Sequence, residues 1–302
     1  MKINAIFTVI LSLAVNLYPI DAVTYPDGGG RFGDRLIAYI HAKWIAFRDR
    51  VPLLYHPFPY SEFLVLSQEE MHVAEAAHFL HPSQIFVCPY FPESDYELQF
   101  DEWKDQYFSV DFENQEFLWT LRKMIAPLRP LHCTRPPKNQ LSIAIHVREG
   151  SGHDPMNLSL HFPYKSPPFC FYSTCLNRVL EILGEKPVFC FIFTDAKDPA
   201  AVAQRLAKDV PANYPISFHY REPNSSCSNS VLEDFFSFQN FDILIRPDSN
   251  FSIVPSLLHS FAIVCSPLEF WFDEQGQPHT QKVKIKINKS AQKYLELLPI
   301  GN

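Results

Sequence analysis

Between residues 141 and 265 short apolar runs alternate with amphipathic stretches, and a chain so patterned has few folds open to it. The runs Leu141–Val147, Pro187–Phe193, Ile216–Tyr220, Ile243–Ile245 and Ala262–Cys265 are too short for helices and rich in β-branched and aromatic residues. The intervening stretches Phe171–Leu183, Pro199–Lys208, Ser230–Phe238 and Ile253–Phe261 have helical periodicity. Strands that alternate with helices of roughly 10 to 15 residues predict a parallel sheet covered on both faces, a Rossmann-like domain. Lys282–Ile287, which alternates basic and apolar residues, reads as an edge strand, and Ala291–Leu298 as a closing helix.

In an open α/β sheet, ligands bind beyond the carboxyl ends of the strands, so the residues just past each run are the candidate site. After Leu141–Val147 the sequence reads Arg148-Glu149-Gly150-Ser151-Gly152-His153-Asp154. His146 and Arg148 are two apart, so a strand sets both on one side. A guanidinium there suits a phosphate or carboxylate, and the competing reading pairs it with Glu149 or Asp154 on a solvated loop. The next run ends in Thr194 and Asp195. Ile243–Ile245 leads into Asp248, Ser249, Asn250 and Ser252, types that cap helices and whose hydroxyls and amides also hold anions at a first helical turn. All three ends open on one edge of one parallel sheet.

The first half is less regular. Val23–Tyr25 reads as a strand, and Pro26-Asp27-Gly28-Gly29-Gly30-Arg31-Phe32-Gly33-Asp34-Arg35 leads into an amphipathic helix over Leu36–Arg48. This glycine turn lacks the Gly-x-Gly-x-x-Gly dinucleotide spacing, which leaves an anion or sugar site or a plain turn. Val51–Leu54 and Gln84–Cys88 read as strands, and Gln68–Leu80 and Phe112–Met124 as helices. The proline-rich stretch 127–140 reads as a linker between a domain at 23–126 and one at 141–302. Met1–Ala22 has the layout of a secretory signal peptide with Ala22 as the cleavage point, or of an uncleaved anchor, the one circumstance in which membrane contact is expected, with a buried first strand as the third alternative. In a eukaryotic secretory pathway the Asn-x-Ser triplets at Asn157, Asn224, Asn250 and Asn288 are glycosylation candidates.

A net charge of -7 with no basic run argues against nucleic acid as a partner. The seven cysteines contain no Cys-x-x-Cys pair, which argues against zinc, and their odd count leaves at least one thiol unpaired, so that one or two bridges but no dense framework are expected. Cys190 and Cys265 lie in apolar runs, as buried thiols do.

Taken in order, the motifs resemble those of the fucosyltransferase superfamily of GT-B glycosyltransferases, which includes the α-1,2-, α-1,6- and protein O-fucosyltransferases. Gly29-Gly30-Arg31-Phe32-Gly33-Asp34-Arg35 and the following helix with Ala42-Lys43 resemble the family's Gly-Arg-Phe-Gly-Asn-Gln turn. His146-Val147-Arg148-Glu149-Gly150 resembles its His-x-Arg-x-Gly motif, and Phe193-Thr194-Asp195 its Phe-x-Thr/Ser-Asp strand end. Glu233-Asp234 and Asp248-Ser249-Asn250-Phe251-Ser252 resemble its Glu-Asp helix and Ser-Asn-Ser-Ser-Phe-Ser turn.

The resemblance implies two Rossmann-like domains facing a cleft, the C-terminal one the more regular. It implies a GDP-fucose donor as substrate, no cofactor or metal, inverting transfer, and a glycan or glycoprotein acceptor. Arg148 would bind the diphosphate and stabilise charge on the leaving nucleotide. His146 and Gly150 would shape that site, and the turn at Asp248, Ser249, Asn250 and Ser252 would hold phosphate oxygens. Residues near Thr194 and Asp195 would recognise the nucleoside, while Gly30, Arg31, Phe32, Gly33 and Asp34 would close over the donor from the other domain. Asp34 stands where the family has asparagine, which makes it a candidate base toward the acceptor hydroxyl. The alternative is a protein that keeps the fold and binds a GDP sugar or a glycan without catalysis.

Overall fold

The computed structural model describes residues 21–27, 30–90, 109–149, 162–222 and 230–288. They belong to two compact units, which part between Pro130 and Leu131. Both are α/β, and both are built on parallel strands.

In the N-terminal unit, β1 (Ala22–Thr24) leads to the long helix α1 (Phe32–Asp49) and then to β2 (Leu54–Tyr55). The short elements α2 (Leu66–Glu69), β3 (Met71–His72) and α3 (Val73–Ala76) follow, then β4 (Ile85–Val87) and α4 (Gln115–Met124). β1 pairs in parallel with β4 and β2 with β3, and a single bridge between Val23 and Leu53 joins the pairs. Ala22, the expected cleavage point, is buried in β1 opposite Ile85, and the Asp21 amide donates to the Gln84 carbonyl. Residues 1–20 lie outside the described residues.

α1 begins at Phe32 rather than Leu36, because the Asp34 carboxylate accepts the Arg31 amide at 3.1 Å and closes its first turn. The helix expected over Gln68–Leu80 is broken in two. Glu70 leaves the helical conformation with ψ 143°, and its carboxylate takes the Lys43 ammonium at 2.6 Å and the Tyr39 hydroxyl at 2.9 Å. Met71 and His72 then pair with Leu54 and Tyr55, and the His72 ring caps α3 through Nδ1. Tertiary partners for Glu70 and His72 thus overrode the local periodicity.

The C-terminal unit carries β5 (Leu141–Val147), α5 (Phe169–Leu183), β6 (Val188–Thr194), α6 (Pro199–Asp209), β7 (Ile216–Tyr220), α7 (Ser230–Ser237), β8 (Ile243–Ile245), α8 (Asn250–Leu258), β9 (Ile263–Phe272) and β10 (Pro278–Ile287). The sheet runs β10-β9-β8-β5-β6-β7, parallel throughout except for the antiparallel edge strand β10. Odd-numbered residues of β5 face one apolar cluster with α5 and α6, and Ala144 faces a second, phenylalanine-rich one. Asp242 accepts both the amide and the hydroxyl of Ser142, which pins the start of β8 to the base of β5 and fixes their register.

Two expected element bounds moved, one of a helix and one of a strand. α8 opens at Asn250 rather than Ile253, so Asn250 and Ser252 belong to its first turn. Asn250 is buried there, which closes that triplet to glycosylation. The last parallel strand, expected over Ala262–Cys265, extends as β9 to Phe272 because β10 pairs with it along its length. The closing helix expected over Ala291–Leu298 and the triplets at Asn157 and Asn224 lie outside the described residues. The six cysteines among the described residues are free thiols.

Candidate functional site

The order of the strands picks out one place on the sheet. From β5 the chain steps to β6 and β7 on one side, then returns to lay β8 and β9 on the other. β5 and β8 are therefore the neighbours at which the winding reverses, and their helices leave in opposite directions, which opens a crevice beyond their carboxyl ends. The candidate residues His146, Arg148, Ser249 and Ser252 stand at these two strand ends.

His146 lies one step past the pair Ile145–Ile245, at the level of Arg246, the first residue beyond β8. Its Nδ1 is 2.7 Å from the Ser252 hydroxyl, and its ring packs edge-on against Phe238 and tilted against Phe251. Burial, with the Arg148 and Arg246 charges nearby, pushes its pKa down to about 4 despite the opposing pull of Asp195. His146 is thus a neutral ring that joins β5 to the first turn of α8.

This sets a pH dependence. The unfolded chain binds a proton at His146 near pH 6.5, whereas the folded chain binds it only near pH 4. Stability is therefore level above pH 6.5 and falls toward pH 4, by roughly 3 kcal/mol in all. Urea unfolding across that range checks it: His146→Gln is expected to flatten this part of the acid limb.

Arg148 is half-buried, and among the described residues its guanidinium has no hydrogen-bond or ionic partner. Glu149, its expected competitor, is taken instead by Arg205 at 2.9 Å, and that guanidinium also lies 3.7 Å over the Phe169 ring. Asp154 and Gly150 lie outside the described residues. Asp195 accepts the Glu149 amide at 2.9 Å and so ties the ends of β5 and β6 together. The Thr194 hydroxyl accepts the Ala196 amide at 3.0 Å, a local turn bond that holds the same strand end.

At the end of β8, Ser249 occupies the cap position of α8, yet its side chain makes no capping bond. The plain capping reading of this serine is not realised. The Ser252 and Ile253 amides instead close the first turn on the Ser249 carbonyl, at 2.9 Å each. Beneath the turn, the buried Arg246 donates to an Asp248 carboxylate oxygen at 3.0 Å and to the Pro247 carbonyl at 3.2 Å. Sequence reasoning passed over Arg246. The available signal was a charged residue directly after an apolar strand run, at the same edge as Arg148.

Gly30, Arg31, Phe32, Gly33 and Asp34 lie in the other unit. Gly30 has φ +70°, a left-handed conformation, and an added Cβ would overlap the Asp34 side chain. Gly30→Ala is accordingly expected to destabilise the chain by at least about 1 kcal/mol in urea unfolding, from backbone strain and loss of the α1 cap. Asp34 takes the Arg31 amide at 3.1 Å and the Tyr90 hydroxyl at 3.3 Å. Phe32 is buried against Phe58 and Tyr60. Arg35 donates to the Pro26 carbonyl at 2.6 Å and lies 3.5 Å from Asp27. Lys43, in the helix that follows, is committed to Glu70.

Among the described residues no group of three or more His, Cys, Asp or Glu side chains could hold a metal ion, and no helix is long and apolar enough to cross a membrane.

No family model matches the chain, and no curated protein matches it in sequence. In structure it is similar to several solved proteins. The fucosyltransferase NodZ from Bradyrhizobium is 16% identical, with TM-score 0.43, over 88% of this chain and 98% of that one. The protein POFUT1 is 11% identical, with TM-score 0.43, over 79% of this chain and 94% of that one. FUT1 from Arabidopsis thaliana is 13% identical, with TM-score 0.45, over 85% of this chain and 73% of that one.

Proposed function

We propose that this chain is a glycosyltransferase that takes fucose from GDP-fucose, with inversion and without a metal, to a hydroxyl of a glycan or glycoprotein. The observation that carries the reading is the reversal of winding between β5 and β8, with a guanidinium free of partners among the described residues on one strand end and, on the other, a helix start whose cap-position serine makes no side-chain capping bond. A diphosphate suits that pair of groups: Arg148 forks toward its oxygens, and the first-turn amides of α8 face its negative charge. As the bond from sugar to phosphate breaks, charge grows on the bridging oxygen, so a fixed cation stabilises the transition state more than the ground state. His146, held neutral, leaves the charge of the crevice to the arginines. Asp34 is the proposed base toward the acceptor, and the leader makes the secretory pathway the proposed location.

One observation favours a second reading. The Asp34 carboxylate is engaged with the start of its own helix, as a purely structural residue would be. On that reading the chain binds a GDP sugar or a glycan without turnover.

GDP release from GDP-fucose, followed with and without a mixture of glycoprotein acceptors, decides between them. Acceptor-dependent release that disappears in Asp34→Asn, with GDP binding retained, supports the transferase. Binding of GDP with no release under any condition supports the binder.

A further inference from the structure

The backbone of Arg148 lies just beyond the last ladder pair of β5, Val147 with Thr194, so the sheet no longer supplies partners for it. Two side-chain hydroxyls take their place. The Arg148 amide donates to the Tyr172 hydroxyl at 3.3 Å, and the Ser166 hydroxyl donates to the Arg148 carbonyl at 3.2 Å. Tyr172 is 1% exposed and Ser166 3%, so neither hydroxyl is a surface group that happens to lie nearby. Both come from one stretch: Tyr172 sits in the first turn of α5 and Ser166 just before that helix. Ser166 is itself held, because its amide donates to the Phe162 carbonyl at 2.9 Å.

We infer that Ser166 and Tyr172 are positioning residues for Arg148. Neither belongs to any motif recognised in the sequence. A guanidinium sits at the end of a long, rotatable stem, and its usefulness to an anion depends on how little freedom is lost on binding. Fixing the amide on one side of the Arg148 Cα and the carbonyl on the other fixes the direction in which that stem leaves the sheet. The entry to α5 thereby sets the geometry of the phosphate site from the opposite face of β5, and burial keeps the Tyr172 phenol protonated.

The inference rests on the donor reading above, and its test separates the two. GDP carries the diphosphate and guanosine does not, so the ratio of their affinities reports the diphosphate contacts, Arg148 among them, apart from those to the nucleoside. Calorimetry on the full chain is expected to show this ratio falling about tenfold in Tyr172→Phe and a similar amount in Ser166→Ala, from loss of one buried hydrogen bond each. Ser166→Thr, which keeps the hydroxyl, is expected to restore it. A hydroxyl that merely stabilises the fold would lower the unfolding midpoint and leave the ratio untouched. An unchanged ratio in both Tyr172→Phe and Ser166→Ala overturns the inference whatever happens to stability. A natural chain that binds GDP no better than guanosine overturns the donor reading itself, and the positioning role with it.

Discussion

Replacing Arg246 by methionine is expected to cost the C-terminal unit roughly 3–5 kcal/mol, because it removes the cation paired with a buried carboxylate. Asp248 has a fully buried side chain, and Arg246, itself nearly buried, lies 3.0 Å from it. Methionine fills most of the arginine stem's volume, so lost packing contributes little and the effect is electrostatic. Adding Asp248→Asn to Arg246→Met removes the carboxylate charge as well and is expected to recover most of the loss. Urea midpoints of the two single variants and the double variant give the coupling directly. A loss below about 1 kcal/mol in Arg246→Met would mean that this pair is solvated in solution.

Arg148→Ala has the opposite profile, with little effect on the empty chain and a large one on the liganded chain. At a hundred times its dissociation constant, GDP should stabilise the natural chain by about 2.7 kcal/mol. Charge-assisted bonds of a guanidinium to phosphate are worth about 1.5–3 kcal/mol each, so their loss should erase nearly all of that shift at the same GDP concentration. Because this side chain is half-buried with no partner among the described residues, the unfolding midpoint without GDP should stay within the range of ordinary surface substitutions. Thermal unfolding with and without GDP measures both.

The contrast between Arg148 and Arg246 shows what the sequence could and could not disclose. Arg148 was legible because a strand of period two ends at it and glycines follow, a pattern that local reasoning reads well. Arg246 occupies the same kind of position, but the prolyl and acidic residues after it look like a turn. Only the parallel pairing of Ile145 with Ile245 brings it beside His146. Ser249 has the sequence position of a helix cap, its commonest role, and the structure leaves that bond unmade. The broken helix at Glu70 has the same lesson in the other unit: its partners, Tyr39 and Lys43, are some 30 residues away. Nothing within its own window announces them. Strands and their order of appearance follow from local apolar pattern, whereas the reversal at β5 follows from how the strands are shuffled in space.

A crystal soaked with GDP tests the proposed donor site most directly. Density for the diphosphate within hydrogen-bonding distance of the Arg148 guanidinium and of the first-turn amides of α8 is the predicted result. A diphosphate bound elsewhere on the chain, or none at a concentration that saturates binding in solution, would contradict it.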